Sequence, residues 1–151
     1  MKSEVHGKDI ERLIPQRKPF VMIDAFEAGE APTSAESLTG ASCTALLSVR
    51  TDNYFMLPSG EMSASGLIEH IAQSASALAG YMAVQQGATT PPVGMIAEVK
   101  NFVCQRRPRA GESISTTITM GFSFGAMTLC HGESCIGDDM IGEVDLKIFI
   151  Q

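Results

Sequence analysis

The sequence predicts an α+β fold, a curved antiparallel sheet wrapped around one long central helix. Three observations carry that expectation. Residues 63–86 show sustained helical periodicity, with Ile68, Ile71, Ala75, Leu78 and Met82 recurring at three- and four-residue steps. After residue 93 the chain reads as strand almost throughout. The helical stretch is also rich in Ala and Ser. Small side chains let other backbone approach closely, so this helix is expected to be enclosed by a sheet.

The elements follow in order. Residues 8–14, KDIERLI, put Ile10, Leu13 and Ile14 on one side of a short amphipathic helix. Pro15 ends it, because the residue before a proline avoids helical geometry. Pro19 opens the apolar run 20–30, a first strand closed by the turn-forming residues 29–33. Residues 34–49 alternate loosely and finish on apolar residues, a second strand. Residues 52–62, with Pro58 and Gly60, read as a loop. Ser63 or Ser65 is the expected helix cap, and Gly87 the stop. Strand segments then fall at 94–104, 113–125, 126–134 and 140–150. The loop QRRPRAGE separates the first two, Gly125 sits at a tight turn, and Gly137-Asp138-Asp139 makes a hairpin-like connection. With no internal repeat, residues 1–151 are expected to form one domain whose free sheet edge can pair into a dimer.

Composition narrows the function classes. The net charge of −6, from 11 Lys+Arg against 17 Asp+Glu, argues against a nucleic-acid binder. Cys43, Cys104, Cys130 and Cys135 form no CxxC pair, and no His stands at zinc-ligand spacing from two of them. They read as buried or half-buried free thiols. No metal and no cofactor is expected. The N-terminal MKSEVHGKDIERL is too polar for a signal peptide, and no apolar run reaches membrane-helix length, so a cytoplasmic protein with no membrane partner is expected.

Glu69, Gln73, Ser76 and Gly80 share one line on the helix, opposite the apolar stripe. Two readings compete. Glu69 and Gln73 are solvated residues of a surface helix, or they form a site in which an amide orients a carboxylate one turn away. In the second reading the N–H groups near Ser65 and Gly66, at the helix start, polarise a carbonyl.

Three segments bear on that choice. GLIEHIAQSASALAGY, 66–81, resembles the central helix of the bacterial 3-hydroxyacyl-acyl-carrier-protein dehydratases, with Glu69 to Gln73 in place of the family's acidic residue, apolar step and Ala-Gln. IERLIPQRKPFVMID, 10–24, resembles the family's start, Leu-Leu-Pro-His-Arg-x-Pro-Phe followed by an apolar strand. VKNFVCQRRPRAGE, 99–112, resembles its strand followed by basic residues, Pro and Gly. The order of the matches is the family's, and the branch most similar is the dehydratase-like proteins of aryl-polyene pigment clusters. The resemblance implies a hot-dog fold, a lyase acting on 3-hydroxyacyl thioesters, and Glu69 as the active-site acid.

The departures matter equally. FabZ-like dehydratases carry a His in a His-Phe-Pro-Gly loop before the helix, which exchanges the substrate's α-proton. Here NYFMLPSGEMSASG contains no His, and Pro-His-Arg has become Pro15-Gln16-Arg17. His70 lies about 100° round the helix from Glu69 and is expected to point elsewhere, in a packed or surface role. His6 and His131 have no supporting motif, and Tyr54, a phenol, is a poor base. The His/Glu dyad is therefore incomplete within one chain. The resemblance implies that acid and base come from two chains, in a homodimer or in a heterodimer with a homologous dehydratase subunit.

Arg106, Arg107 and Arg109, with Lys100, Arg17 and Lys18, form a basic cluster in an acidic chain. It is either a solvated turn or a docking patch for acidic acyl carrier protein or the phosphates of a coenzyme A thioester. Two rivals to the dehydratase stand beside it: a hot-dog thioesterase in which Glu69 activates water, and a non-catalytic acyl-binding subunit.

Overall fold

The computed structural model describes residues 4–34 and 36–150. Its elements are β1 (Glu4–His6), a 3-10 helix (Gly7–Arg12), β2 (Ala25–Ala28), β3 (Ser42–Ser48), α1 (Ala64–Gln85), β4 (Gly94–Cys104), β5 (Ser113–Phe124), β6 (Met127–Ile136) and β7 (Asp139–Ile150). The strands make one antiparallel sheet in the order β1-β2-β3-β5-β6-β7-β4. A seven-stranded antiparallel sheet around one long helix is the hot-dog arrangement the sequence predicts.

Alternation in the strands builds the core. Ile114, Thr116, Ile118 and Met120 of β5 and Val144, Leu146 and Ile148 of β7 are buried, with Cys43, Ala45 and Leu47 from β3. Leu67, Ile71, Ala75 and Leu78 of α1 meet them, each fully buried. Burial continues without interruption from Gln73 to Tyr81, so α1 is covered on nearly every side. Ser63 caps the helix, its hydroxyl accepting from the Gly66 N–H at 3.2 Å. Cys43, Cys104, Cys130 and Cys135 are free thiols, and burial pushes Cys43 and Cys130 up to about 12. Among the described residues no helix is long and apolar enough to cross a membrane.

The structure differs from expectation mainly near the N-terminus. β1 was not anticipated: it has three residues and pairs only with β2. The short helix expected over 8–14 is a 3-10 helix spanning Gly7–Arg12. The first long strand shrinks to Ala25–Ala28, because the preceding backbone bonds to side chains of α1. The Met22 N–H donates to Gln73 Oε1 at 2.7 Å, and the Phe20 carbonyl accepts from Gln73 Nε2 at 2.7 Å. The second strand begins only at Ser42, since turns occupy described residues before it; residue 35 of the expected span lies outside the described residues.

This N-terminal segment covers the helix face opposite the sheet. Gly80 permits the approach: a Cβ there would collide with the Leu13 carbonyl. The line Glu69–Gln73–Ser76–Gly80 is thus mostly interior, and only Glu69 is half-exposed. Ile68 and Met82, expected in the core stripe, are half-buried.

Candidate active site

α1 and the N-terminal segment build the polar centre of the molecule. Gln73 is buried and uses both ends of its amide: Oε1 on the Met22 N–H, Nε2 on the Phe20 carbonyl and, at 3.1 Å, on Glu69 Oε1. The two backbone bonds fix the amide's orientation. Its remaining N–H therefore presents a fixed donor to the Glu69 carboxylate one turn earlier.

Glu69 and Gln73 line a cleft of about 280 Å³ together with Gln16, Ala72, Ser76, Gly94, Met95, Ile96 and Ile148. One wall is helix, one is the N-terminal segment, and one is the start of β4 at the sheet edge. No histidine is among these lining residues. Gln16 was not placed in the site by sequence reasoning, although the change within Pro15-Gln16-Arg17 was visible there. Its Oε1 is buried and, among the described residues, has no hydrogen-bond partner.

The other candidate residues lie elsewhere. Ser65 is exposed, its hydroxyl 2.9 Å from that of Ser63. Gly66 is buried, and a Cβ there would stand 2.6 Å from Cβ of Phe55, so glycine lets the preceding loop pack on the helix start. Its N–H is occupied by Ser63. Arg106 forms a two-pronged pair with Glu112, both contacts at 2.9 Å, which holds the Glu112 carboxyl below its ordinary range. Arg107 and Arg109 lie 4.0 and 3.7 Å from Glu61. Ser65, Gly66, Arg106, Arg107 and Arg109 are all outside the lining of the cleft.

His70 is fully buried in the core. Its Nδ1 faces the Met22 carbonyl at 2.6 Å; a carbonyl only accepts, so Nδ1 carries the proton. Nε2, 2.8 Å from Thr116 Oγ1, then accepts from that hydroxyl, and Thr116 accepts in turn from Ser134 at 2.7 Å. Burial, only partly offset by the Met22 carbonyl and by Asp24, lowers its pKa to about 4, so the ring is neutral at pH 7. His70 and Gln73 together hold both backbone polar groups of Met22, its carbonyl and its N–H.

A larger hollow of about 500 Å³ lies on the outer sheet face, bordered by Phe122, Phe124, Leu129 and His131. His131 is already committed to Asp145 at 2.6 Å, which raises its pKa. Asp145, which lines this hollow, accepts from Asn101 Nδ2 at 2.9 Å, but that amide is exposed and has no further bond to fix it among the described residues. The buried Gln73 amide is held at both ends, so the Glu69 cleft is the stronger candidate despite its smaller volume.

Comparison with known proteins agrees with this architecture. The dehydratase heterocomplex ApeI:P from Xenorhabdus doucetiae is similar, with a TM-score of 0.79 and 14% identity over 94% of this chain and 90% of that chain. A hypothetical thioesterase with coenzyme A from Streptococcus pneumoniae gives 0.61 and 6% over 83% and 88%. The PaaI protein of the E. coli phenylacetic acid degradation operon gives 0.56 and 10% over 82% of each. At these identities the likeness is one of fold. No curated protein matches the chain by sequence. The family model of the ApeP-like dehydratases, described as ApeP dehydratase, matches residues 8–149, nearly the whole chain. The chain therefore belongs to the ApeP-like dehydratase family.

Proposed function

We propose that this protein supplies the acid of a 3-hydroxyacyl-thioester dehydratase site, with Glu69 as that acid and Gln73 as the residue that orients it. The observation that carries the reading is the locked Gln73 amide, which aims its free N–H at a Glu69 carboxylate lining an open cleft. In dehydration a base takes the α-proton and the C–H electrons form the Cα=Cβ bond. The Cβ–O bond breaks, and the departing hydroxyl takes a proton from Glu69 and leaves as water.

The base comes from a second chain. No histidine lines the cleft, and Gly94, Met95 and Ile96 bring it to the free edge of β4. That strand exposes Met95, Ile96, Val99 and Val103, an apolar edge suited to pairing with another subunit. A fold shared with a dehydratase heterocomplex supports a homologous partner subunit, and the proposal places the histidine there. The substrate arrives on acyl carrier protein or coenzyme A. Arg106, Arg107 and Arg109 against Glu61 and Glu112 leave one positive charge to steer such an anion. Ser65 and Gly66, at the helix start, are candidates for backbone contact with the thioester once a partner completes the site.

The test is turnover of a 3-hydroxyacyl carrier-protein substrate by the protein alone and mixed with such a subunit. A missing general base costs about 10²–10⁴ in rate, so activity should be weak alone and recover in the mixture. Glu69→Gln should abolish it with the fold intact, and Gln73→Ala should do less harm. A wild-type rate in Glu69→Gln, or full activity of the isolated protein, would overturn the proposal. Release of free thiol would instead mark a thioesterase.

A further inference from the structure

We propose that Gln16 reads the substrate's 3-hydroxyl group, accepting a hydrogen bond from it in the Glu69 cleft. The inference rests on the acyl-thioester reading above and deepens it. The cleft's polar side chains are Gln16, Glu69, Gln73 and Ser76. Gln73 is engaged at both ends, its oxygen on the Met22 N–H and its nitrogen on both Phe20 and Glu69. Gln16 is the opposite case. It lines the same cleft, and its Oε1 is buried without a partner among the described residues.

An amide without a partner is not tied to one orientation by a bond of its own, and the Gln16 side chain has no hydrogen bond among the described residues. The terminal torsion of glutamine is broad, and a half-turn about Cγ–Cδ exchanges oxygen and nitrogen. The amide can therefore bring its acceptor to a ligand in the cleft without displacing the backbone.

The chemistry of the substrate selects the partner. A 3-hydroxyl has one O–H to donate and lone pairs to accept. For the C–O bond to break, a lone pair must face the Glu69 proton, and the O–H must then point away from Glu69. An acceptor from another element lining the cleft fixes that orientation, and Gln16 belongs to the N-terminal segment and not to the helix that bears Glu69. An amide does not titrate near neutral pH, so it holds the hydroxyl without competing for the proton. A site built to bond a hydroxyl also disfavours an acyl chain that lacks one, because the polar group is left unpaired.

The experiment compares binding of a 3-hydroxyacyl-pantetheine amide and its 3-deoxy counterpart of the same chain length, neither of which turns over. The wild-type protein, assembled with its histidine-bearing subunit, should favour the hydroxylated analogue by about tenfold, the effect of one neutral hydrogen bond plus the unpaired group it avoids. Gln16→Met, similar in length but without the amide, should bring the ratio close to one, because it removes both the bond to the hydroxyl and the penalty on the deoxy chain. Gln16→Glu, which keeps an acceptor oxygen, should restore a preference. A wild-type ratio of one, or a Gln16→Met variant that keeps the wild-type ratio, overturns the inference and leaves the dehydratase reading standing. A Gln16→Met effect on subunit association with the ratio intact overturns it too, by giving the amide to the interface. Failure to bind either analogue removes the acyl-thioester reading itself.

Discussion

Acidification should unfold this protein partly through His70, and the size of the effect follows from its burial. The ring is fully buried with a pKa lowered from 6.5 to about 4, while the unfolded chain exposes it at its ordinary value. Between those values the unfolded state binds a proton that the native state refuses, so stability falls as pH falls. The loss begins near pH 6.5 and levels off below about 4. At one pKa unit per 1.36 kcal/mol, the whole shift is worth about 3 kcal/mol, and the interval from pH 7 to 5 about 2 kcal/mol. Urea unfolding at pH 7 and pH 5 on the wild type and on His70→Gln measures it, because Gln does not titrate. The wild type should lose about 2 kcal/mol more than the variant over this interval. At pH 7 the variant itself should be weaker by about 1–3 kcal/mol, since the Met22 carbonyl and the Thr116 hydroxyl lose well-placed partners. The imidazole resonances of the native protein provide a reading that needs no variant: the His70 signal should stay flat down to about pH 5. Equal losses in the two proteins, or a native His70 titrating near 6.5, would refute this account of the core.

Two further outcomes test the packing and the edge. Gly80→Ala should destabilise by about 3 kcal/mol in thermal or urea unfolding even though Ala favours helix, because its Cβ meets the Leu13 carbonyl; an unchanged or raised midpoint would show that the N-terminal segment does not rest on α1 as described. Val99→Lys should turn a sedimenting dimer or heterodimer into monomer at micromolar concentration with its circular dichroism unchanged, since a charge on an apolar sheet edge blocks strand pairing; assembly at wild-type affinity would place the interface elsewhere.

How much of this was legible in the sequence depends on the range of each interaction. The long helix was legible because the periodicity of Ile71, Ala75 and Leu78 and the Ser63 cap are local signals. The strand at 94–104 was read with its observed limits for the same reason. β1 was not, since three residues carry no period and its pairing with β2 is defined only in space. The run 20–24 looked like strand because it is extended and apolar, yet backbone groups of Phe20 and Met22 bond to Gln73 and His70, which no local pattern announces. The Glu69–Gln73 contact was legible from four-residue spacing. Burial of that helix line was not, because it depends on Leu13 and Met22 crossing from far along the chain. The basic cluster likewise showed its charges without showing that Glu61, from another loop, stands among them.

The same distinction bears on the missing base. A helix acid and its orienting amide sit one turn apart, so a single chain keeps them together through local geometry alone. A loop histidine reaches the acid only through long-range packing or from another chain. In this chain the long-range positions are the ones that differ from the resembled pattern: the loop before α1 lacks His, and Gln16 stands where that pattern has His. The local half, Glu69 with Gln73, is retained and rigidly held. Its cleft opens beside the apolar edge of β4. On the proposed dehydratase reading, a subunit relieved of supplying the base has no need of a titrating group at those positions, but it still needs the acid held in register for a base that arrives across the edge.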